Sequence, residues 1–303
     1  MLDAEISRSP TKYLRSPWLK TRTQYLRNGK FRLRTYDQPG RWMTDQEIAR
    51  LTDTLREIAG RSMDAVPTYG VFTGSRKAFS NRVVGVASVS RTDEPVAFTA
   101  MVYLPIMIGG RVEPVLHLGL TMIKKRFRGQ RLQGPLFEKL MYMTFYNQLK
   151  GHFYLTNIAA SPAGIGSVAD YFQDAYPHYR GKTEPRAYHL EIAQKVLASY
   201  RHEFGCSGSA RFDPETFVVK GSNDPDKGGA WQFIREDPVS MYKEEECNRF
   251  CTERLQFNQG DELFQVANVD ILSGTLGVLR RLRERKTAAR RADEARLPAM
   301  EGK

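Results

Sequence analysis

The stretch from residue 118 to residue 140 is the part of the sequence that most constrains the fold. An apolar, strand-like segment at 113–123 runs into a basic, glycine-containing segment, and apolar residues then recur at the spacing of one helical face: Leu132, Leu136, Phe137, Leu140 and Met143. The first backbone N–H groups of a helix are unpaired, and the helix dipole adds positive potential there. A strand that leads through such a loop into a helix therefore predicts a site for an anion, for which a pyrophosphate is the obvious ligand.

The loop itself supplies further groups suited to an anion. It contains five cationic side chains: Lys124, Lys125, Arg126, Arg128 and Arg131. An arginine can hold two phosphate oxygens at once, and Gly129 and Gly134 allow the backbone to approach a ligand closely. The same composition also fits a solvated basic turn that caps a surface helix, so the loop alone does not decide between the two.

Periodicity and turn residues along the chain predict a mixed sheet. Thr44 and Glu47 form a capping box for a helix that ends near Gly60, and Gly109-Gly110 marks a hairpin turn. The predicted elements up to residue 175 are a strand at 30–36, that helix, strands at 82–90, 95–107 and 113–123, a helix through 132–143, a strand at 152–158 and a helix at 163–175. Beyond them we expect a helix at 187–203, strands at 215–220 and 262–268, a loop at 221–229 and a basic helical tail from residue 271. This order indicates an α/β (α+β) fold with helices flanking a largely antiparallel central sheet.

This order of elements resembles the GNAT superfamily of acyl-CoA-dependent N-acyltransferases. The family's phosphate loop reads Arg/Gln-x-x-Gly-x-Gly/Ala after a strand that ends in an apolar residue, and four residues match that pattern: Ile123, Arg126, Arg128 and Gly129. Arg131 stands where the family has a small residue, and Gln133 stands where a further glycine is common. Residues 131–136 also resemble the corresponding loop of N-myristoyltransferases, which belong to the same superfamily.

A second match lies on the helix predicted at 163–175. The family has Tyr-x-x-x-Gly-Phe here, and Tyr171, Ala175 and Tyr176 occupy the tyrosine, glycine and phenylalanine positions. The resemblance implies that Tyr171 is the general acid that protonates the leaving thiolate, although its helical spacing also fits an ordinary core aromatic. For the base, it implies His117, near where many members place a carboxylate, with Glu113 as the alternative. Either base could act through a water.

The resemblance also implies the reaction, the cofactor and the domain organisation. Acetyl-CoA or another acyl-CoA would be the co-substrate, without a metal, and a primary amine of a small molecule or a protein would accept the acyl group, with N-acetyltransferase activity the commonest choice in the family. The implied cofactor-binding residues are Met122, Ile123, Arg126, Arg128, Gly129, Gln130, Arg131, Gln133 and Gly134. A GNAT-like core would span residues 30–180, after a basic aromatic arm at 1–29. In the elaborated C-terminal part, 181–270 would complete the sheet or form a small subdomain, and 271–303 would be a basic helical tail.

The net charge of +12 is concentrated at the two ends of the chain. Residues 1–40 contain nine Lys/Arg against three Asp/Glu, and residues 280–303 contain nine against four. The N-terminal arm interleaves aromatic with basic residues, a mixture that can stack bases and neutralise phosphates, or can pack across a domain with the aromatic rings inward. The main alternative to an enzyme is therefore a non-catalytic binding module of GNAT-like fold, with an anionic partner such as RNA or an acyl carrier protein at its basic ends.

Composition and spacing disfavour several other classes. No apolar stretch approaches the ~20 residues that cross a bilayer, residues 1–30 contain no apolar segment of the secretory type, and three cysteines suit a reducing, cytoplasmic location. Cys247 and Cys251 lack further nearby ligands, so we expect no metal site.

Residues 164–169 spell the dinucleotide fingerprint Gly-x-Gly-x-x-Ala, with Glu184 twenty residues after Gly164. The strands before it are predicted to be antiparallel, which disfavours a dinucleotide-dependent enzyme.

Overall fold

The computed structural model describes residues 2–63, 66–223 and 241–270. Its helices are α1 (Leu2–Arg8), α2 (Asp45–Gly60), α3 (Arg76–Phe79), α4 (Gln133–Gln148), α5 (Pro162–Tyr171), α6 (Ala187–Tyr200) and α7 (Glu245–Arg254). Its strands are β1 (Thr21–Leu26), β2 (Phe31–Asp37), β3 (Arg82–Val89), β4 (Pro95–Ile108), β5 (Arg111–His117), β6 (Thr121–Ile123), β7 (His152–Ala159), β8 (Gln173–Tyr176), β9 (Arg211–Phe212), β10 (Val218–Lys220) and β11 (Glu262–Asp270). Helices flank a mixed, largely antiparallel sheet, which confirms the predicted fold class.

The described strands form one sheet in the order β1-β2-β3-β4-β5-β7-β11-β10-β9. Neighbours along this order are antiparallel except β5 and β7, which are parallel. In addition, β6 pairs with β4 beyond the end of β5, and β8 pairs with β11. The parallel pair therefore lies in the middle of the sheet, and strands from the C-terminal part of the chain continue the sheet beyond it.

The two faces of the sheet carry different helices. Met101 of β4 packs with Leu140 of α4, whereas the next residue, Val102, packs with Ile192 of α6. Ala100 points to the same face as Val102 and packs in the cluster that contains α2. Since successive residues of a strand point to opposite faces, α4 covers one face, and α2 and α6 cover the other.

The N-terminal residues are integrated into this core. The side chains of Ile6, Leu14 and Leu26 are almost fully buried. The side-chain amide of Asn147, near the end of α4, accepts a hydrogen bond from the backbone N–H of Leu19 at 3.1 Å and donates one to its C=O at 3.0 Å. The arm therefore packs across the sheet and α4.

One predicted helix is partly wrong, while most other predicted elements are confirmed to within a few residues. The helix expected at 163–175 ends at Tyr171, and Gln173–Tyr176 form strand β8. Asp174 adopts a left-handed backbone conformation with φ of 50°, and Tyr176 precedes a proline, which disfavours helical geometry. The sequence patterns did not predict α1, β1 or α7. The tail at 271–303 and residues 224–229 of the predicted loop lie outside the described residues.

Candidate functional site

A cavity of about 630 Å³ opens where the two parallel strands separate. β5 and β7 pair only at their Leu116–Leu155 and His117–Thr156 positions, and the N–H of Leu118 donates to the C=O of Thr156 at 2.9 Å. Beyond this point, residues 118–123 and residues 157–161 form facing walls of the cavity. The site therefore exists because two strands that begin as neighbours in the sheet stop pairing half-way along.

The strand expected at 113–123 is interrupted beside this cavity. β4 pairs with β5 up to His117 and with β6 from Thr121, and one extra residue lies between the two pairings, as in a β-bulge. A Cβ on Gly119 would lie 2.3 Å from the carbonyl oxygen of Ala100, so only glycine fits this position. The bulge is thus specified by the sequence.

The bulge leaves backbone groups available to a ligand. Leu120 accepts a hydrogen bond from β4 at 2.9 Å, and Lys124 donates one to β4, also at 2.9 Å. Because strand residues alternate in the direction of their backbone groups, Thr121 and Ile123 direct their N–H and C=O away from β4, towards the cavity. The N–H of Leu120 has no hydrogen-bond partner within the part of the chain that the structure describes.

The basic loop forms one end of the cavity. α4 begins directly after the loop, and no side chain caps its N-terminus. Of the residues predicted to bind the cofactor, those that line the cavity are Met122, Ile123, Arg128, Gly129 and Gln133. The guanidinium of Arg128 donates to the C=O of Ser62 at 2.6 Å, which holds the side chain at the cavity. Gly129 has φ of 76°, a conformation that favours glycine.

The other predicted cofactor-binding residues lie beside the cavity rather than in its wall. Arg126 is exposed and forms an ion pair with Glu94. The side chain of Gln130 and the C=O of Arg131 accept hydrogen bonds at 2.8 and 2.5 Å from basic side chains of the turn between β1 and β2. Gly134 lies in the first turn of α4. Contact of these residues with a cofactor stays a prediction.

The opposite end of the cavity is lined by side chains from distant parts of the chain. We call this end the far pocket, and it is formed by Tyr69, Arg82, His117, Glu203, Phe204 and Glu262. Arg82, at the start of β3, forms a buried ion pair with Glu203, which lies in a short 3-10 turn after α6. Of this set, only His117 was predicted from the sequence. The available signal for Arg82 and Glu262 was a charged residue at the start of a strand, followed directly by apolar residues.

His117 is a buried, neutral member of the far pocket. Its Nδ1 lies 3.0 Å from the hydroxyl oxygen of Thr156, and its ring stacks on Phe204 with 4.0 Å between the ring centroids. Burial, and then the charge of Arg82, lower the pKa of His117 to about 3. At neutral pH the imidazole is therefore uncharged and a weak base.

Glu262 is a buried carboxyl at the same end. The hydroxyl of Ser222 donates to one of its oxygens at 2.6 Å, and no cation pairs with it among the described residues. Burial raises the pKa of Glu262, against the effect of the neighbouring side chains of Ser222 and Asn223. Burial, followed by the charge of Glu262, raises the pKa of Tyr69 far above its ordinary value.

Two of the predicted catalytic residues lie away from the cavity wall. Tyr171 is the last residue of α5, and its side chain is 60% exposed. Glu113 lies on β5 and forms an ion pair with Lys150. The start of α5, with Gly164 and Ser167, lines the cavity instead. The roles of Tyr171 and Glu113 in catalysis stay predictions.

The dinucleotide-like glycines belong to the packing of α5. A Cβ on Gly166 would lie 2.4 Å from the ring of Tyr242, so this glycine allows the ring to lie against the helix. Cys247 and Cys251 of α7 pack in the same cluster as Ile165.

Within the described ranges, His, Cys, Asp and Glu side chains form no group of three or more suited to a metal ion. In those ranges too, every helix is too short or too polar to cross a membrane.

Solved structures that resemble this chain include three acyltransferase-related proteins. Glucosamine-6-phosphate N-acetyltransferase from Arabidopsis thaliana aligns with 39% of this chain and 76% of its own, at 15% identity and a TM-score of 0.28. The GNAT domain of PAT from S. lividans aligns with 46% and 80%, at 16% identity and a TM-score of 0.29. N-myristoyltransferase from Saccharomyces cerevisiae aligns with 46% of this chain but only 32% of its own, at 13% identity and a TM-score of 0.31. No protein-family model and no curated protein matches the sequence.

The topology of the sheet makes the fold GNAT-like. From β2 to α5, the chain follows the order strand, helices, three antiparallel strands, helix, strand and helix on which the sequence resemblance rested. The third of these strands carries the bulge and leads into the basic loop before α4.

Proposed function

We propose that this chain is an acyl-CoA-dependent N-acyltransferase. The observation that carries the proposal is the cavity between the separated strands, which joins a basic loop and an uncapped helix N-terminus to a polar far pocket. A pyrophosphate suits the first end, since it carries negative charge and accepts hydrogen bonds. A thiol-ended arm that leaves this end along the strand edge reaches the middle of the cavity, where a second substrate can meet it.

In this proposal, CoA binds through the loop and the strand edge. Arg128 and the first N–H groups of α4 hold the pyrophosphate, and Gly129 keeps the backbone close to it. The amide groups of the pantetheine arm pair with Thr121 and Ile123, as an added strand pairs with a free sheet edge. Arg126, Gln130, Arg131 and Gly134 flank this path and raise the local positive potential or shape the loop.

The chemical step uses the bulge. We assign the unpaired N–H of Leu120, at the bulge in the cavity wall, as the donor to the thioester oxygen, where it would stabilise the negative charge that develops. A neutral amine attacks the carbonyl carbon, a C–N bond forms, the nitrogen gives up one proton to water, the C–S bond breaks, and CoA leaves as a thiolate that takes up a proton. The exposed position of Tyr171 favours solvent as the source of that proton, while His117 lies within the pocket that the amine would enter.

The test is calorimetric titration of CoA into the wild type and two charge-reversed variants. We expect Arg128→Glu to weaken CoA binding at least about tenfold, because it removes a charge-assisted hydrogen bond and adds repulsion. Arg91→Glu, at an exposed position in the turn before β4, changes the net charge equally and should bind CoA as the wild type does. Absence of CoA binding in the wild type, or equal binding in both variants, would remove the support for the proposal.

The exposed aromatic residues of the arm favour a second function, the binding of an anionic partner. Trp18 and Tyr25 are 72% and 66% exposed, and Trp18 stacks on Tyr146 of α4. Aromatic surfaces among basic side chains suit RNA as a partner. Binding to a single-stranded RNA that weakens steeply between low and physiological salt would support this function, and salt-independent binding would contradict it.

A further inference from the structure

The far pocket has an unbalanced charge. Arg82 is its one cationic side chain among the described residues, and its guanidinium is already occupied by Glu203 and by the C=O of Ala78. His117 is neutral, and Tyr69 is protonated. Once Glu262 is ionised, the pocket therefore carries one net negative charge.

The carboxyl of Glu262 is placed to contact a ligand. It lies in the cavity wall, its residue is only 6% exposed, and it accepts a hydrogen bond from the neutral hydroxyl of Ser222. A buried carboxylate without a cationic partner is costly, and a cation that enters the pocket would offset that cost. The titratable groups that face it are Tyr69 and Cys206, both uncharged at neutral pH because burial raises their pKa.

The two ends of the cavity are thus opposite in charge. Arg128 lines the loop end, whereas the far pocket offers Glu262 together with the neutralised Arg82–Glu203 pair. The carboxylate of Glu262 would repel an acceptor that carries a carboxylate or phosphate close to its amine. It would attract an acceptor that carries an ammonium group.

Resting on the proposed function, we infer that the acceptor is an alkylamine that carries a second, cationic nitrogen and no neighbouring anionic group, and that Glu262 binds the ammonium at this second nitrogen while the uncharged amine attacks the thioester. The lining of the far pocket supports the same class. The stacked, uncharged rings of Phe204 and His117 form part of the pocket wall, which suits an alkyl chain, and Glu262 lies at the start of β11, beyond the point where β5 and β7 separate.

The experiment compares two amines of equal chain length on the full protein saturated with CoA. Putrescine and γ-aminobutyrate share a four-carbon chain and differ in whether the second group is an ammonium or a carboxylate. We expect calorimetry to show binding of putrescine to the wild type and much weaker or no binding of γ-aminobutyrate. Glu262→Gln should weaken putrescine binding about tenfold or more, since a charge-assisted hydrogen bond is lost, and should leave the Kd for CoA unchanged. Glu215→Gln, an exposed carboxyl between β9 and β10, is the control and should bind both ligands as the wild type does.

Each outcome has a separate meaning. Equal putrescine affinity in wild type and Glu262→Gln, no putrescine binding at all, or a preference of the wild type for γ-aminobutyrate would overturn this inference while CoA binding remains intact. Failure of the wild type to bind CoA would overturn the proposed function and this inference with it. If Glu262→Gln does not fold, the preference of the wild type between the two amines still decides.

Discussion

The carboxyl of Asp37 should make a separable contribution to the pH dependence of this protein's stability near neutrality. Asp37 ends β2 and is completely buried; it accepts hydrogen bonds from the hydroxyl of Tyr103 at 3.0 Å and the side-chain amide of Asn147 at 2.6 Å. Burial raises the pKa of Asp37 from 3.8 to about 7, against the opposing effect of these hydrogen bonds. The folded protein therefore holds a proton on Asp37 at pH values where the unfolded chain has released it.

The sign and size of the effect follow from this difference in proton binding. Between pH 4 and pH 7 the folded state binds the extra proton, so the contribution of Asp37 to the free energy of unfolding falls as the pH rises and stays constant above pH 7. Each unit of difference between the pKa of a group in the folded and the unfolded state is equivalent to about 1.4 kcal/mol of unfolding free energy. The loss due to Asp37 is then about 3 kcal/mol between pH 5 and pH 8. Asp37→Asn has no carboxyl to titrate and lacks this slope.

Urea unfolding at pH 5, 6, 7 and 8 measures the effect. We expect the free energy of unfolding of Asp37→Asn, relative to the wild type, to rise by about 3 kcal/mol across that range. A constant change caused by altered hydrogen bonding would cancel in this comparison. Asp53→Asn, whose carboxyl is 75% exposed on α2, should parallel the wild type. Parallel curves for Asp37→Asn and the wild type would refute the reasoning, because they would mean that the buried carboxyl titrates at its ordinary pKa.

Three further predictions test the site and the arm. Gly119→Val should lower acyl transfer at least about tenfold, since its Cβ would lie 2.3 Å from a backbone oxygen and displace the bulge; thiol release from acetyl-CoA measures this, and normal turnover would contradict it. His117→Gln should leave the shape of the pH–rate profile between pH 6 and pH 8 unchanged, because a group with a pKa of about 3 does not titrate there; a lost inflection would contradict it. Deleting residues 1–29 should cost about 4.5–9 kcal/mol, since three buried aliphatic side chains are lost at about 1.5–3 kcal/mol each, and unfolding at the wild-type urea midpoint would contradict it.

The loop end of the site could be predicted because its signals are local. A strand, a glycine-containing basic loop and a helix start follow one another within residues 118–140, and each has its own sequence pattern. Met122, Ile123, Arg128, Gly129 and Gln133, which the resemblance of this segment implied as cofactor-binding residues, all line the cavity. These residues are close together in the sequence and also close together in the structure, so a local pattern was enough to predict this end of the cavity.

The far pocket could not be predicted because it has no local pattern. Tyr69, Arg82, Glu203 and Glu262 come from four separate segments, and only the pairing of β7 with β11 and the packing of α6 bring them together. The surroundings of Tyr171 could not be predicted for a related reason. The family motif places the tyrosine near a helix end, but the end of α5 and the direction of its last residue depend on β8 pairing with β11, a contact far away in sequence.

The exposure of edge strand β1 explains why the sequence did not show whether the basic N-terminal residues pack against the core or bind a partner. Its residues are mostly exposed on both faces, so the alternation that marks a half-buried strand is missing, and the segment reads as a basic aromatic arm. The structure shows that packing and charge coexist there, because Ile6, Leu14 and Leu26 are buried while Arg22 and Arg34 are exposed. Deletion of the arm would therefore remove core packing together with any partner surface. Reversal of the exposed charges of Arg22 and Arg34, with the apolar residues kept, is the change that separates recruitment of an anionic partner from folding.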